Sequence, residues 1–201
     1  MTRTYVIGLT GNIACGKTLV LDELRALGAE TIDADRVAHQ VMQPGGPAYQ
    51  AIVAHFGPEI VAPDGALDRR KLGAIVFNSP AELDALERIV HPATVAAIRA
   101  QVARATAPVV VIDAIKLFEA GLDQDSDQIW AVRCAPAQQL ERLMRRNNFS
   151  RAEALARINA QPPQEEKLAR ADRVIDNSGS VDDTLAQVRA AWATIPHAGA
   201  V

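Results

Sequence analysis

The sequence predicts an α/β fold in which helices cover both faces of a mainly parallel β-sheet. Short apolar runs alternate along the chain with segments whose apolar residues recur at helical spacing. One of these runs, Val109–Ile112, is β-branched and lacks polar alternation, which is typical of a parallel strand buried on both faces. The length of 201 residues is sufficient for one such domain with small insertions.

The first part of the chain predicts a strand, a loop, a helix and a second strand. Apolar residues fill Tyr5–Leu9, a glycine-containing loop follows, and Thr18–Leu27 has apolar residues at helical spacing. Gly28 is a typical helix end, and Glu30–Asp33 is the second strand. The next region has few strand signals and predicts a helical insertion with turns at 43–47 and 63–65. Its predicted helices are residues 34–55 in two pieces, Arg69–Phe77, Ala81–Ile89 and one that follows Pro92.

The second half of the chain returns to alternating strands and helices. This alternation completes the prediction of a mainly parallel sheet, because parallel strands need helical crossovers. The predicted strands are Val109–Ile112, Ile129–Val132 and Arg173–Asp176, and the predicted helices are Pro136–Arg146, Ser150–Gln161 and Val181–Trp192.

The composition argues against several classes of protein. Lys and Arg number 21 against 24 Asp and Glu, whereas a sequence-neutral nucleic-acid binder has a basic excess. Cys15 and Cys134 lie far apart in the sequence and suggest neither a disulfide framework nor a zinc site. The sequence has no signal-peptide layout and no apolar stretch of membrane-spanning length. We therefore expect a cytoplasmic protein with no nucleic-acid or membrane partner.

The segment after the first strand matches the phosphate-binding pattern G-x-x-x-x-G-K-[ST] at every fixed position. It consists of Gly11, Asn12, Ile13, Ala14, Cys15, Gly16, Lys17 and Thr18. The two glycines permit unusual backbone angles, and the following helix directs its positive end at the same anion. Lys17 is suited to neutralise the β and γ oxygens of ATP, and the Thr18 hydroxyl to bind Mg²⁺. Because the pattern follows a buried strand and opens a helix, it predicts nucleotide binding.

A phosphate loop alone does not distinguish a kinase from a GTPase switch or a motor ATPase. The sequence contains no guanine-reading N-K-x-D stretch. Asp113 ends an apolar strand as a Walker B aspartate does, but Ala114 follows it instead of a catalytic glutamate. The sequence therefore favours a kinase that acts on a small molecule.

Two further features favour phosphoryl transfer to a small acceptor. Asp33 and Asp35 follow the second strand, whose end lies beside the phosphate loop in an open parallel sheet. Asp35 is the candidate that activates the acceptor hydroxyl, whereas a helix N-cap is an equal alternative for Asp33. Arg142 and Arg146 are spaced i, i+4, which suits a lid that closes over ATP. The neighbouring Arg151 fits a solvated helix face instead.

An ordered set of short motifs resembles the dephospho-coenzyme A kinase family over nearly the whole chain. Besides the phosphate loop, these motifs are Gly8–Gly11, Asp33–Asp35, Val90–Pro92, Leu117–Leu122, Gln139–Leu143 with Arg146, Ala156–Ile158 with Gln161, Glu165–Lys167, Ala171–Asp172 and Val174–Gly179. The resemblance implies a three-layer P-loop NTPase fold with a five-stranded parallel sheet, a helical substrate-binding insertion and a lid. It also implies transfer of the ATP γ-phosphate to the ribose 3′-hydroxyl of dephospho-coenzyme A, the final step of coenzyme A biosynthesis.

The resemblance also divides the chain and assigns roles to residues. The implied regions are a core with the phosphate loop at 1–35, a helical substrate-binding region at 36–106, core at 107–135, a lid at 136–163 and the rest of the core at 164–201. The implied site residues are Asp35 as general base, Arg142 and Arg146 as lid arginines, and Asn177, Ser178 and Gly179 beside the adenine of ATP. The expected partners are ATP with Mg²⁺ and dephospho-coenzyme A, and a monomer is favoured.

Some details depart from the family pattern or leave alternatives open. Asn12–Cys15 replace a loop that is usually richer in glycine and serine, and Ile115–Leu117 replace a common Pro-Leu-Leu in the acceptor pocket. Cys15 is either a thiolate activated by a helix N-terminus and a lysine, or a small buried filler. His91 precedes Pro92 at a predicted helix end, where we expect a structural role.

Two other functions fit the same motifs. One is a P-loop kinase of a nucleoside or nucleotide, with the same catalytic residues and a different acceptor pocket. The other is a nucleotide-dependent binding or regulatory protein that has lost turnover. In such a protein we expect Lys17, Thr18 or Asp35 to be replaced by another residue type, and all three are present.

Overall fold

The structure, a computed structural model, describes residues 3–196; the ends of the predicted core at 1–2 and 197–201 lie outside the described residues. The described residues form two compact units. Those up to Ile32 and those from Val102 onward form the first, and Asp33–Gln101 form the second. The substrate-binding and lid roles that the sequence suggests for parts of these units stay predictions.

The first unit is built on a five-stranded parallel sheet with the strand order β2-β3-β1-β4-β5. The strands are β1 (Tyr5–Thr10), β2 (Glu30–Asp33), β3 (Val109–Asp113), β4 (Gln128–Arg133) and β5 (Arg173–Asp176). The central β1 pairs in parallel with β3, where Ile7 lies opposite Val111, and with β4, where Leu9 lies opposite Trp130. Both faces of β1 and β3 are buried, which explains their uninterrupted apolar runs. The predicted fold class is confirmed.

Helices connect and cover these strands, and others form the second unit. In chain order they are α1 (Lys17–Ala26), α2 (Ala34–Val41), α3 (Tyr49–Phe56), α4 (Arg69–Asn78), α5 (Pro80–Val102), α6 (Pro136–Asn147), α7 (Arg151–Asn159), α8 (Gln164–Ala169) and α9 (Val181–Trp192). Two single-turn 3₁₀ helices lie at Pro58–Ile60 and Leu122–Asp125. None of the helices in the described range is long and apolar enough to cross a membrane.

One buried apolar cluster fixes α1 and α9 against the sheet. Alternate residues of β1, β3 and β4 contribute to it, and they pack with Leu24 of α1 and Val188 of α9, both fully buried. Burial of a leucine or valine side chain contributes about 1.5–3 kcal/mol. Because α1 begins at Lys17, within the phosphate loop, this packing also fixes the end of that loop.

The second unit contains one departure from the sequence prediction. Residues 80–102 form a single helix, α5, with Pro92 in its interior, so the predicted break before Pro92 is wrong. The proline ring removes one backbone hydrogen bond, but buried residues along the helix, among them Val90, Thr94 and Ile98, hold the two halves together. The Thr94 hydroxyl also donates to the Val90 carbonyl at 2.9 Å. His91 consequently lies inside a helix and not at its end.

We predict that replacing Pro92 with alanine stabilises the chain. A proline in a helix interior is about 3 kcal/mol less favourable than alanine. Proline also restricts the unfolded chain, so its removal makes unfolding easier by about 0.4–1 kcal/mol and cancels part of this gain. Pro92→Ala should therefore raise the free energy of unfolding in urea by about 2 kcal/mol. Pro80→Ala is the matched control, because Pro80 opens the same helix, where proline costs little. An equal gain from both changes, or a loss from Pro92→Ala, would refute this account of α5.

Candidate active site

The phosphate loop, Gly11–Thr18, leaves the end of β1 and enters α1. Gly16 is the N-cap of α1 with a left-handed φ of 89°, and a Cβ there would collide with the side-chain amide of Asn177. A Cβ on Gly11 would lie 2.6 Å from the Val132 carbonyl oxygen. Both positions therefore require glycine, as the pattern predicted. Ala14 also has a left-handed φ, 60°, at one of the positions where the family pattern is richer in glycine.

Three consecutive carbonyl groups of the loop are held by side chains from outside it. The hydrogen bonds are Gln139 Nε2 to the Ile13 carbonyl (2.9 Å), Cys134 Sγ to the Ala14 carbonyl (3.9 Å) and Asn177 Nδ2 to the Cys15 carbonyl (2.9 Å). The C=O and N–H of a planar trans peptide point in opposite directions. Holding the three carbonyls therefore turns the N–H groups of the next residues away from these side chains. The Cys15 N–H donates to the Asn12 carbonyl at 3.2 Å, whereas the N–H groups of Ala14 and Gly16 are suited to bind an anion.

The loop forms the floor of a cavity of about 730 Å³, a volume typical of ligand sites. Its lining consists of residues 12–18, Asp113, Ile115, Arg142, Arg145 and Arg146. The start of α1 and four cationic side chains meet at this cavity, so the site is electropositive. The structure thus brings together Lys17, Thr18 and both predicted arginines of α6.

The cations around the loop differ in how they are held. Lys17 Nζ forms an ion pair with Asp113 at the end of β3. Arg142 donates from Nη2 to the Asn177 carbonyl at 3.0 Å, whereas its buried Nη1 has no hydrogen-bond partner among the described residues. Arg146 is exposed, and its Nε donates to the Asn147 side chain at 2.9 Å. A buried donor without a partner is costly, so Arg142 Nη1 is suited to an anion in the cavity.

A segment after α7 also contacts the loop, and we call Gln161–Lys167 the α8 entry segment. Its contacts are Ile13 N to Gln161 Oε1 (2.8 Å), Asn12 Nδ2 to the Pro162 carbonyl (3.0 Å) and Cys15 Sγ to Gln164 Oε1 (3.2 Å). Helix α8 was not predicted from the sequence. In the sequence analysis, Gln161 and Lys167 were named only as parts of motifs shared with the family. The sequence signal for this segment is the pair of amide side chains, Gln161 and Gln164, that follows the polar helix α7.

Asn177–Gly179, the segment predicted to lie beside the adenine of ATP, is held by contacts inside the protein. Asn177 is buried, and besides its bond to the phosphate loop it accepts from the Thr184 hydroxyl at 3.1 Å. The Ser178 hydroxyl accepts from the Ala135 backbone N–H at 2.9 Å. The side chain of Asn177 thus positions the phosphate loop, which the sequence reasoning missed. The role of Asn177, Ser178 and Gly179 beside adenine stays a prediction.

Asp33 and Asp35 have different local roles. Asp33 is the N-cap of α2, and its carboxylate accepts from the Arg36 backbone N–H at 2.9 Å. Of the two alternatives for Asp33, the structure therefore shows the cap. Asp35 lies in the first turn of α2, two residues after β2 ends. Its role as general base stays a prediction.

Cys15 is fully buried and faces the protein interior, so the reactive-thiolate alternative is wrong. A hydrogen bond with the Cys134 thiol and burial both raise the pKa of Cys15 above that of an ordinary cysteine. The two cysteines, 119 positions apart in the sequence, thus meet behind the phosphate loop as free thiols. Only the fold brings them together, because Cys134 directly follows β4, the strand beside β1.

A family model and the curated relatives agree on one family. A family model described as dephospho-CoA kinase matches residues 5–183. The chain is 50% identical to the dephospho-CoA kinase of Symbiobacterium thermophilum over 93% of this chain and 80% of that protein, and 48% identical to that of Carboxydothermus hydrogenoformans over 91% and 90%. Among solved structures, it is similar to TT1252 from Thermus thermophilus, with 34% identity and a TM-score of 0.81 over 96% of this chain and 99% of that chain. It is also similar to a dephospho-CoA kinase from Campylobacter jejuni, with 28% identity and a TM-score of 0.67 over 92% of this chain and 94% of that chain.

We predict that Cys15 resists alkylation in the folded, nucleotide-free protein. Its thiol is buried, and its raised pKa keeps it protonated at neutral pH, whereas alkylation needs the thiolate. Peptide mapping after iodoacetamide treatment should find Cys15 unmodified, and modified once the chain is unfolded in urea. Rapid modification of the folded protein that bound ATP slows would show that the thiol faces the cavity.

Proposed function

The chain belongs to the dephospho-CoA kinase family, and from this membership we propose that it transfers the γ-phosphoryl group of ATP to the ribose 3′-hydroxyl of dephospho-coenzyme A. The observation that carries the proposal is the phosphate loop, whose carbonyls are held by other side chains while cationic side chains surround the cavity above it. Such a site binds a polyphosphate.

The phosphate loop and the cations around it bind the phosphates of ATP. The phosphates take the backbone N–H groups of the loop and the positive end of α1. Lys17, which Asp113 holds at the cavity through their ion pair, neutralises the β and γ oxygens. Arg142 supplies its uncommitted Nη1, and Arg146 adds a second guanidinium from the next turn of α6. These cations stabilise the charge that spreads over the transferring group.

The residues at the cavity fit Mg²⁺ as the partner of ATP. Thr18 and Asp113 both line the cavity and offer the hard oxygen ligands that Mg²⁺ prefers. No group of three or more His, Cys, Asp or Glu side chains arranged for a metal occurs among residues 3–196. Mg²⁺ nevertheless needs only one or two protein ligands, since phosphates and water complete its shell. When bound, it neutralises phosphate charge.

Asp35 is proposed as the general base. The acceptor hydroxyl oxygen forms a bond to the γ-phosphorus, the bond from that phosphorus to the bridging oxygen breaks, and ADP leaves. The proton of the hydroxyl passes to the Asp35 carboxylate. Support comes from the position of Asp35 in the first turn of α2, two residues after β2 ends, and from the matching motif in the family.

The remaining proposals follow from the family and the sequence. Asn177–Gly179 lie beside the adenine of ATP, residues 36–106 bind dephospho-coenzyme A, and residues 136–163 form the lid. The enzyme acts in the cytoplasm, which is supported by its two cysteines, both free thiols. A monomer is favoured.

The direct test is incubation of the protein with dephospho-coenzyme A and ATP-Mg, followed by mass analysis of the product. A gain of one phosphate that fragmentation locates on the ribose supports the proposal. A panel of nucleosides and nucleotides is the control. Faster turnover of a member of that panel would assign the same site to another acceptor, and ATP binding without any product would contradict a kinase.

Asp35→Asn should lower kcat while the affinity for ATP stays close to that of the wild type. The change keeps the size of the side chain but removes the basic oxygen, and general base catalysis contributes about 10²–10⁴-fold. Steady-state kinetics with an equilibrium measurement of ATP binding separates the two effects. Asp33→Asn is the matched control, because asparagine also caps helices, and it should retain most of the turnover. Equal kcat for Asp35→Asn and wild type would exclude the proposed base.

Arg142→Ala should lower kcat by about 10²–10³-fold, the usual loss for one donor to a transition-state anion. The affinity for dephospho-coenzyme A should change little, because the guanidinium meets the developing charge and not the acceptor. Arg151→Ala is the control, since Arg151 is exposed at the start of α7 and does not line the cavity. A loss confined to acceptor affinity would move Arg142 from the phosphate site to the acceptor pocket.

A further inference from the structure

Lys167 is the one charged residue among the buried residues of the described range, with 3% of its surface exposed. It lies on α8 and closes the α8 entry segment, whose earlier residues contact the phosphate loop. Its Nζ donates to the Ile115 carbonyl at 2.9 Å. A lysine ammonium is almost never fully buried without a paired charge, so this position needs an explanation.

Stability does not supply that explanation. Transfer of an ammonium group out of water is costly, and one neutral carbonyl acceptor offsets only part of this cost. Burial lowers the pKa of Lys167. The charge of Glu119 opposes this shift, and the nearby charge of Lys17 adds to it. The chain thus keeps a second cation close to Lys17 although folding alone would favour an apolar side chain there.

The contacts of the Ile115 carbonyl connect Lys167 to the phosphate site. The same oxygen accepts from the Thr10 hydroxyl at 3.2 Å, and Thr10 is the last residue of β1 before the phosphate loop. Ile115 lines the cavity two residues after Asp113, and Asp113 forms the ion pair with Lys17. Two buried donors therefore hold the short segment that carries the Asp113 carboxylate into the cavity.

We propose that Lys167 is a positioning residue for phosphoryl transfer: its ammonium fixes the Ile115 carbonyl and so sets the Asp113 carboxylate against Lys17. Lys17 meets the transferring group, and Lys167 acts through the segment 113–115. Displacement of a catalytic group by about 1 Å can cost about 10²-fold in rate. The consequence of losing Lys167 is therefore expected in kcat. This inference rests on the proposed kinase function.

The test compares the wild type with Lys167→Met, which keeps the length of the side chain but removes its charge and donors. We expect kcat with dephospho-coenzyme A to fall about 10–100-fold. The KM for ATP should stay within about threefold, because most ground-state contacts of the phosphates remain. The free energy of unfolding in urea should be unchanged or higher, since a buried charge has been removed. A merely structural lysine would give the opposite pattern, a loss of stability with unchanged kcat.

Three further variants make the test specific. Lys167→Arg keeps the charge and should recover part of the lost kcat. Thr10→Val removes the other donor to the Ile115 carbonyl and should also lower kcat, and its effect combined with Lys167→Met should be less than multiplicative, since both act on one oxygen. Arg189→Met removes an exposed cation, paired with Glu23, from the same unit and should leave kcat unchanged.

The outcomes separate the inference from the proposed function. If the wild type makes no phosphorylated product from dephospho-coenzyme A, the proposed function fails. If the wild type is active and folded Lys167→Met retains kcat within about twofold, the inference fails while the function stands. Should Lys167→Met not fold, Thr10→Val decides, because an unchanged kcat in that variant would show that the Ile115 carbonyl does not position the site.

Discussion

The candidate site depends on the orientation of three peptide planes in the phosphate loop. A loop that binds an anion must direct N–H groups at the ligand, and isolated backbone has no preference for that arrangement. Here Gln139, Cys134 and Asn177 each hold one carbonyl on the side of the protein. Peptide planarity then fixes the N–H groups of the next residues on the other side, where those of Ala14 and Gly16 are suited to an anion. Contacts within the protein therefore organise the site, which lowers the cost of binding a polyphosphate.

The polar interior of the first unit serves this arrangement. Of the seven buried polar or charged residues in the described range, six contact the phosphate loop, its supports or its wall; they are Thr10, Asn12, Gln139, Lys167, Asn177 and Thr184. The sheet makes this concentration possible, because β1 is central and the carboxyl ends of β3 and β4 flank the loop on either side. Ligands of open α/β sheets bind at such a point.

The local features of the sequence were sufficient to predict the strands and the phosphate loop, because apolar runs, helical spacing and a fixed glycine pattern report on neighbouring residues. The two required glycines and the cap at Asp33 belong to this class. The continuity of α5 could not be predicted, since the burial that compensates for Pro92 comes from tertiary packing. The contact of Cys15 with Cys134 and the contacts of the α8 entry segment also join distant positions, and no local pattern encodes them.

The most direct test of the account follows the fate of the terminal phosphorus of ATP. The protein is incubated with dephospho-coenzyme A and ATP that carries a radiolabel on the γ-phosphorus, and a parallel sample carries the label on the α-phosphorus. We expect the γ label to appear in coenzyme A, one label per product molecule, while the α label stays in the nucleotide. Release of the γ label as inorganic phosphate in the presence of the acceptor, with none in coenzyme A, would contradict it.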